Sequence, residues 1–177
     1  MIYTIGHSTR KETDFLDLLH HYSIQTLADI RTIPRSRWNP QFNRTSLEKA
    51  LPQAGITYIH VAELGGLREP SPKSINTGLK NPGLRGYADH MQTSQFEEAL
   101  GKILALGRKQ RIALMCAEAD FTKCHRQLTS DALTVRKMKV LHIRSADEVT
   151  PHVLSPSAKV EGNRITYPGD RQSMLEF

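Results

Sequence analysis

Five short apolar runs constrain this chain most. IYTI (2–5), TLADI (26–30), ITYIHV (56–61), RIALMC (111–116) and VLHI (140–143) have strand length and little more. Between them lie longer segments with apolar residues at helical spacing. These carry Phe15, Leu16, Leu18 and Leu19, then Leu47 and Leu51, then Phe96, Leu100, Ile103 and Leu104, then Leu128, Ala132, Leu133 and Val135. Strand-length runs separated by helix-length segments describe successive βαβ units. Such units build a mainly parallel sheet with helices on both faces. The expected fold is α/β, a single compact three-layer domain over 1–177, with its core in 1–145. In the extension 146–177, Lys159–Val160 and Ile165–Tyr167 flank Glu161-Gly162-Asn163 and predict a small C-terminal hairpin.

Local signals place the helix ends. Thr9 with Glu12, and Thr45 with Glu48, have capping-box spacing, Ser94 and Glu97 open the next helix, and Gly55 closes the second. A helix is expected from about His125 to Arg136. The stretch 64–86 is rich in Gly, Pro, Asn and Ser and reads as a long loop, a length uncommon unless functional or disordered.

A chain of 177 residues, 38% hydrophobic, can bury a real core. No apolar run approaches the ~20 residues of a membrane-spanning helix, and the first residues do not resemble a secretion signal. The expectation is a cytoplasmic protein without a membrane partner. The two cysteines, Cys116 and Cys124, are expected as reduced thiols. The net charge of +6 favours an anionic partner, either a small molecule or nucleic acid, although a basic balance is also ordinary in a soluble protein. Cofactor and oligomeric state leave no mark in the sequence.

Parallel sheets carry their sites at the carboxyl ends of the strands, and each predicted strand here runs into polar groups. The first leads to Gly6-His7-Ser8, the second to Asp29 and Arg31, and the third to His60, Glu63 and Gly65-Gly66. The fourth ends at Cys116-Ala117-Glu118, and Cys124-His125-Arg126 stands at a helix start. In the leading reading, Cys116 is a nucleophile or redox thiol with His7 or His125 as base. Glu118 or Asp29 orients that base, and Arg31 and Arg126 clamp an anion. Gly65 and Gly66 permit close backbone approach to a ligand, and Cys124 and His125 sit where helix N–H groups attract one. Each residue also has a plain structural role open to it. Cys116 can finish a core strand, Asp29–Arg31 can be a structural ion pair, His7 a satisfied buried histidine, and Gly65-Gly66 a tight turn.

Between Arg31 and Arg44, Arg35 and Arg37 interleave with Trp38 and Phe42, while Pro34 and Pro40 keep the segment out of a helix. Arg35, Arg37, Trp38 and Arg44 therefore form a candidate surface for nucleic acid. The other reading is an irregular loop that Trp38 anchors to the core. Cysteine and histidine are metal-ligand types, but the Cys116–Cys124 gap and adjacent Cys124-His125 lack paired-ligand spacing, so no metal ligand set is assigned.

TIGHS (4–8), ADIR (28–31), PRSR (34–37), LGG (64–66), GYADHMQT (86–93), LMCAEAD (114–120) and CHR (124–126) together resemble the domain of unknown function 488 family. The terminal TPHVLSPSAKV and RITYP resemble its longer members. The likeness spans nearly the whole chain, with Phe121 standing where members usually carry Pro. It implies a compact α/β fold and no established reaction. LADIR at a strand end, with a later strand ending in Cys before a loop and helix, is also similar in plan to rhodanese-like domains, which share it with some cysteine phosphatases. A phosphatase loop needs Arg six residues after its Cys. Thr122 stands there and Arg126 lies further on, which argues against that chemistry. The expected function is a thiol enzyme acting on an anionic, nucleotide-like or nucleic-acid-derived substrate. The alternatives are a non-catalytic nucleic-acid-binding module using loop 31–44 and a metal-dependent hydrolase.

Overall fold

The computed structural model describes residues 1–169, so the part of the predicted extension from 170 onward lies outside the described residues. In chain order the elements are β1 (Ile2–Gly6), α1 (Glu12–His21), β2 (Thr26–Asp29), α2 (Arg44–Gln53), β3 (Thr57–His60), α3 (Pro82–His90), α4 (Ser94–Lys109), β4 (Ile112–Cys116), α5 (Arg126–Val135), β5 (Val140–Ile143) and β6 (Val149–Pro151). They end with the hairpin β7 (Lys159–Glu161) and β8 (Arg164–Thr166). The main sheet has the order β3-β2-β4-β1-β5-β6; the first five strands are parallel and β6 runs antiparallel to β5. All five expected strands are present, and the fold is α/β with the small antiparallel hairpin.

Strand alternation explains the three layers, because successive side chains point to opposite faces. Tyr3, Ile5, Leu27, Ala113 and Met115 form one core with Phe15 and Leu19 of α1 and Leu47 and Leu51 of α2. Ile2, Ala28, Ile112 and Leu114 form the other with Tyr87 of α3, Phe96 and Leu100 of α4, and Leu128 and Leu133 of α5. Full burial of each such side chain contributes about 1.5–3 kcal/mol. Emptying one position, as in Leu114→Ala, should cost about 2–5 kcal/mol.

Several local expectations need correction. The predicted loop 64–86 contains the start of α3. Asn81 caps that helix by accepting from the Leu84 N–H, and Pro82 occupies its first turn. The caps lie elsewhere than at Thr9, Thr45 and Ser94: α1 begins after Lys11 and α2 after Asn43, each without a side-chain cap, and the Thr93 hydroxyl caps α4. Trp38 does not anchor its loop, being 92% exposed. Phe42 does so instead, edge-on to Phe15 at 5.0 Å and stacked on His7 at 4.3 Å.

The C-terminal segment is tied to α5 by Asp131, a fully buried carboxylate that sequence reasoning did not single out. It accepts from Ser155 N (2.9 Å), Ser155 Oγ (2.6 Å), Tyr167 OH (2.8 Å) and His152 Nε2 (2.8 Å). Among the described residues, no helix is long and apolar enough to cross a membrane.

Candidate active site

The topology directs attention to the end of β4. It lies between β2 and β1, whose following helices cover one face, while α5, which follows β4, covers the other. Such divergence opens crevices at the carboxyl edge of a sheet. One cleft, of about 350 Å³, lies among Arg31–Ile33, Cys116–Glu118, Lys123–His125 and the first turn of α3. A second, of about 500 Å³, is bordered by His7–Thr9, Arg31, Arg35 and Ala117–Ala119. They share Arg31, Ile33, Ala117 and Glu118.

Cys116 has the strand parity of Ile112 and Leu114 and so faces the α3–α5 side. Cys124 immediately precedes His125 at the start of α5 and returns to the same place. The two sulfurs are 3.0 Å apart, reduced and buried. Gly6 makes the turn after Cys116 possible, since any Cβ there would collide with the Glu118 carbonyl. Cys124 Sγ also lies 3.4 Å from His125 Nδ1 and 3.5 Å from the Arg126 N–H.

His125 is oriented by a backbone carbonyl. Its Nε2 is 3.0 Å from Ile30 O, which can only accept, so Nε2 carries a proton and Nδ1 faces the sulfur. Gly66 lies against this ring, and a side chain there would collide with it; Gly65 packs equally closely on Thr32. The close approach these glycines permit is thus to the protein's own side chains. The geometry is that of a thiol, a base and an acceptor that orients the base.

The electrostatics separate the two thiols. Cys124 is pulled well below the ordinary thiol range, first by the hydrogen bond from Cys116, then by His125 and the Arg126 charge, while burial opposes the shift. Cys116 is pushed up by its hydrogen bond to Cys124, by burial and by the neighbouring negative charge. Of the two, Cys124 is thus the one favoured as thiolate and Cys116 the one favoured as thiol.

Arg126 is 1% exposed and lies behind the pair. Its Nη2 donates to the Glu118 and Ala119 carbonyls, and its Nη1 lies 3.3 Å from Thr4 Oγ1. Among the described residues no carboxylate pairs with it. A buried cation without a counter-charge favours an anion nearby, and the thiolate is the adjacent one. Thr4 continues the chain: its Oγ1 is 2.7 Å from His142 Nδ1, His142 Nε2 is 3.0 Å from His152 Nδ1, and His152 donates to Asp131. Burial, then the neighbouring His152 and Arg126, lower the His142 pKa to about 3, so it stays neutral.

Asp29, Arg31 and His7 gather on the opposite side of the edge. Arg31 donates from Nε and Nη2 to the two Asp29 oxygens at 2.8 and 2.6 Å, and from Nη2 to Phe42 O at 2.7 Å. Its Nη1 reaches His7 Nε2 at 3.1 Å, while Tyr58 OH donates to Asp29 at 2.9 Å. His7 Nδ1 donates to Ser8 O at 2.8 Å, so Nε2 is the acceptor for Arg31. Burial foremost lowers the His7 pKa to about 4. His7, Arg31 and Glu118 share the second cleft, whereas Arg126 opens onto neither cleft and is enclosed. The Glu118 side chain is exposed and accepts from Asp120 N at 3.2 Å.

In the basic loop Arg35, Arg37 and Trp38 are exposed, and Arg44 pairs with Glu48 at 2.7 Å. Among the described residues no group of three or more His, Cys, Asp or Glu side chains is placed to hold a metal ion.

Fold and site together define a three-layer α/β protein with a buried dithiol at the edge of its sheet. A family model described as domain of unknown function DUF488 matches residues 11–133, well over half the chain, and the chain belongs to that family. Comparison with curated proteins and with solved structures gives no match.

Proposed function

We propose that the chain is a thiol enzyme in which Cys124 is the nucleophile and His125 its proton partner, acting on a small anionic substrate. One observation carries the reading: Cys124 is among the residues lining a cleft, and Cys116, His125 Nδ1 and the Arg126 N–H all converge on its sulfur. A thiolate attacks an electrophilic centre, and the imidazolium Nδ1–H hands its proton to the leaving group. The role first given to Cys116 passes to Cys124, and the Ile30 carbonyl orients the base in place of Glu118 or Asp29. Cys116 holds charge on its neighbour by hydrogen bonding.

The anionic substrate is supported by the surroundings of the cleft. The amino-terminal ends of α3 and α5 both border it, and helix N-termini favour negative charge. Lys123, exposed on its rim, adds a cation. The second cleft shares Arg31 and Glu118 with the first, and a molecule spanning both, such as a nucleotide-derived one, would meet the same two side chains from either side.

The test is the rate of alkylation by iodoacetamide against pH. The native chain should show a reactive thiol with its inflection well below that of a free cysteine. Cys124→Ser should abolish that phase, and His125→Asn should move the inflection up. Two cysteines that react only after denaturation would overturn the reading.

A second reading rests on Trp38, 92% exposed just after the exposed Arg35 and Arg37, in a loop whose Arg35, Ser36 and Asn39 border the second cleft. This loop presents a stacking surface with cations for single-stranded nucleic acid. Retention of a labelled oligonucleotide on filters should fall with salt and disappear in the Arg35→Ala, Arg37→Ala, Trp38→Ala triple variant. No retention by the native chain even at low salt would remove it.

A further inference from the structure

We infer that Cys116 and Cys124 form a working dithiol–disulfide couple, and that small anionic disulfides are among the substrates this site reduces. The inference rests on the reading of Cys124 as nucleophile and extends it to the second thiol. Transfer to carbon or phosphorus needs one sulfur. Here a second lies 3.0 Å away, on a different element, beside the same cleft. Bond formation requires a sulfur–sulfur distance of about 2.05 Å, so closure needs a movement of about an ångström.

The step balances without any further oxidant. The Cys124 thiolate attacks one sulfur of the substrate R–S–S–R, forming Cys124–S–S–R and releasing RS⁻. Cys116 then loses its proton and attacks Cys124 Sγ, breaking the mixed disulfide and releasing a second RS⁻, one thiolate leaving protonated at the expense of Cys116. The protein thiols lose two electrons, and the substrate disulfide gains them and becomes two thiols. A reducing external dithiol restores the starting state.

The order of events follows from the surroundings. Both cysteines are buried, Cys124 slightly less so as a residue (6% exposed against 2% for Cys116), and it is Cys124 whose sulfur faces His125 Nδ1 and the Arg126 N–H. Cys116 is held protonated by its bond to Cys124 and by the thiolate charge, besides burial, while Arg126 acts the other way. Once Cys124 is bonded to RS, that charge is gone and Arg126 still stands behind Cys116. The first attack thus prepares the second thiol for its own.

The experiment uses the full chain with dithiobis(nitrobenzoate), an anionic disulfide whose released thiolate is coloured, and intact mass. The native chain, with its two thiols, should release two thiolates, end two hydrogens lighter and carry no adduct. Cys116→Ser should release one thiolate and keep a stable adduct on Cys124, and Cys124→Ser should lose the fast phase. A native chain that retains one adduct, or two, overturns the couple while leaving Cys124 a nucleophile. No release before denaturation overturns both readings. Dithiodiglycolate should oxidise the pair about tenfold or more faster than uncharged dithiodiethanol at low salt. Equal rates would overturn the anionic preference.

Discussion

Two groups of ionisable side chains flank the same carboxyl edge of the sheet, and they are built on opposite terms. The Asp29–Arg31–His7 group is closed. Asp29 accepts from Arg31 and Tyr58, and both His7 nitrogens are engaged. The thiol group is open. At its centre is a sulfur, favoured as thiolate, held by soft contacts of 3.0–3.5 Å in a residue that lines a cleft, and the buried cation behind it has no carboxylate partner among the described residues. Both sets read as catalytic in the sequence. What separates them is whether hydrogen-bonding capacity has already been spent. A saturated group stabilises the fold, and an unsaturated one retains something to offer a substrate.

The comparison is most easily broken at Asp29. Asp29→Ala leaves the buried Arg31 charge unpaired and should lower stability by about 3–5 kcal/mol in urea unfolding. Thiol reactivity of the folded variant should stay as in the native chain. A small stability loss accompanied by lost reactivity would reverse the roles assigned to the two groups.

Arg126→Met comes next. It strands the Glu118 and Ala119 carbonyls, a loss of about 1–3 kcal/mol. Because the Arg126 charge helps hold the Cys124 pKa down, the alkylation inflection should also move up. An unchanged inflection would mean that the guanidinium only props the loop.

Acid should act on the buried histidines, with a slope of at most about 1.4 kcal/mol per pH unit for each. His7 and His142 are bases whose folded pKa values, about 4 and about 3, lie below the ordinary 6.5. The unfolded chain therefore takes up these protons first. Stability from this source is whole above about pH 6.5 and falls as pH drops from there towards 4 and 3. His7→Gln should flatten part of the slope in equilibrium unfolding from neutral to acid pH. An undiminished slope would show that His7 titrates normally.

The smallest effect belongs to the thiols. Cys124→Ser should change stability by no more than about 1 kcal/mol, within the ordinary range for a point mutation, while removing the reactive phase. A collapse of folding in this variant would make the pair structural.

Much of the fold was legible because strand burial is written as short apolar runs. IYTI and RIALMC needed only their length and their flanking helical periodicity. The start of α3 was hidden because Pro82, Gly83 and Gly86 have loop composition, while the useful signal was Asn81 followed by Pro, a cap and first turn. The site was legible as a set of residues but not as an arrangement. Nothing along the chain tells that Arg126 turns inward to carbonyls or that Ile30 supplies the orienting acceptor, since both follow from how β2, β4 and α5 meet. Asp131 was missed although a signal existed, for it falls on the apolar face of α5 among Leu128, Ala132 and Leu133. An acid there must find buried donors, and His152, Ser155 and Tyr167 of the terminal segment supply them.

The central claim is that Cys124 rests as a thiolate in the folded chain while Cys116 keeps its proton. Thiolate ultraviolet absorbance, followed against pH in the native chain, Cys116→Ser and Cys124→Ser, tests it directly. The account predicts one thiolate at neutral pH in the native chain, its retention in Cys116→Ser, whose hydroxyl still donates to Cys124, and its absence in Cys124→Ser. Absorbance that rises only in the range of an ordinary free thiol, unchanged by Cys124→Ser, would contradict it.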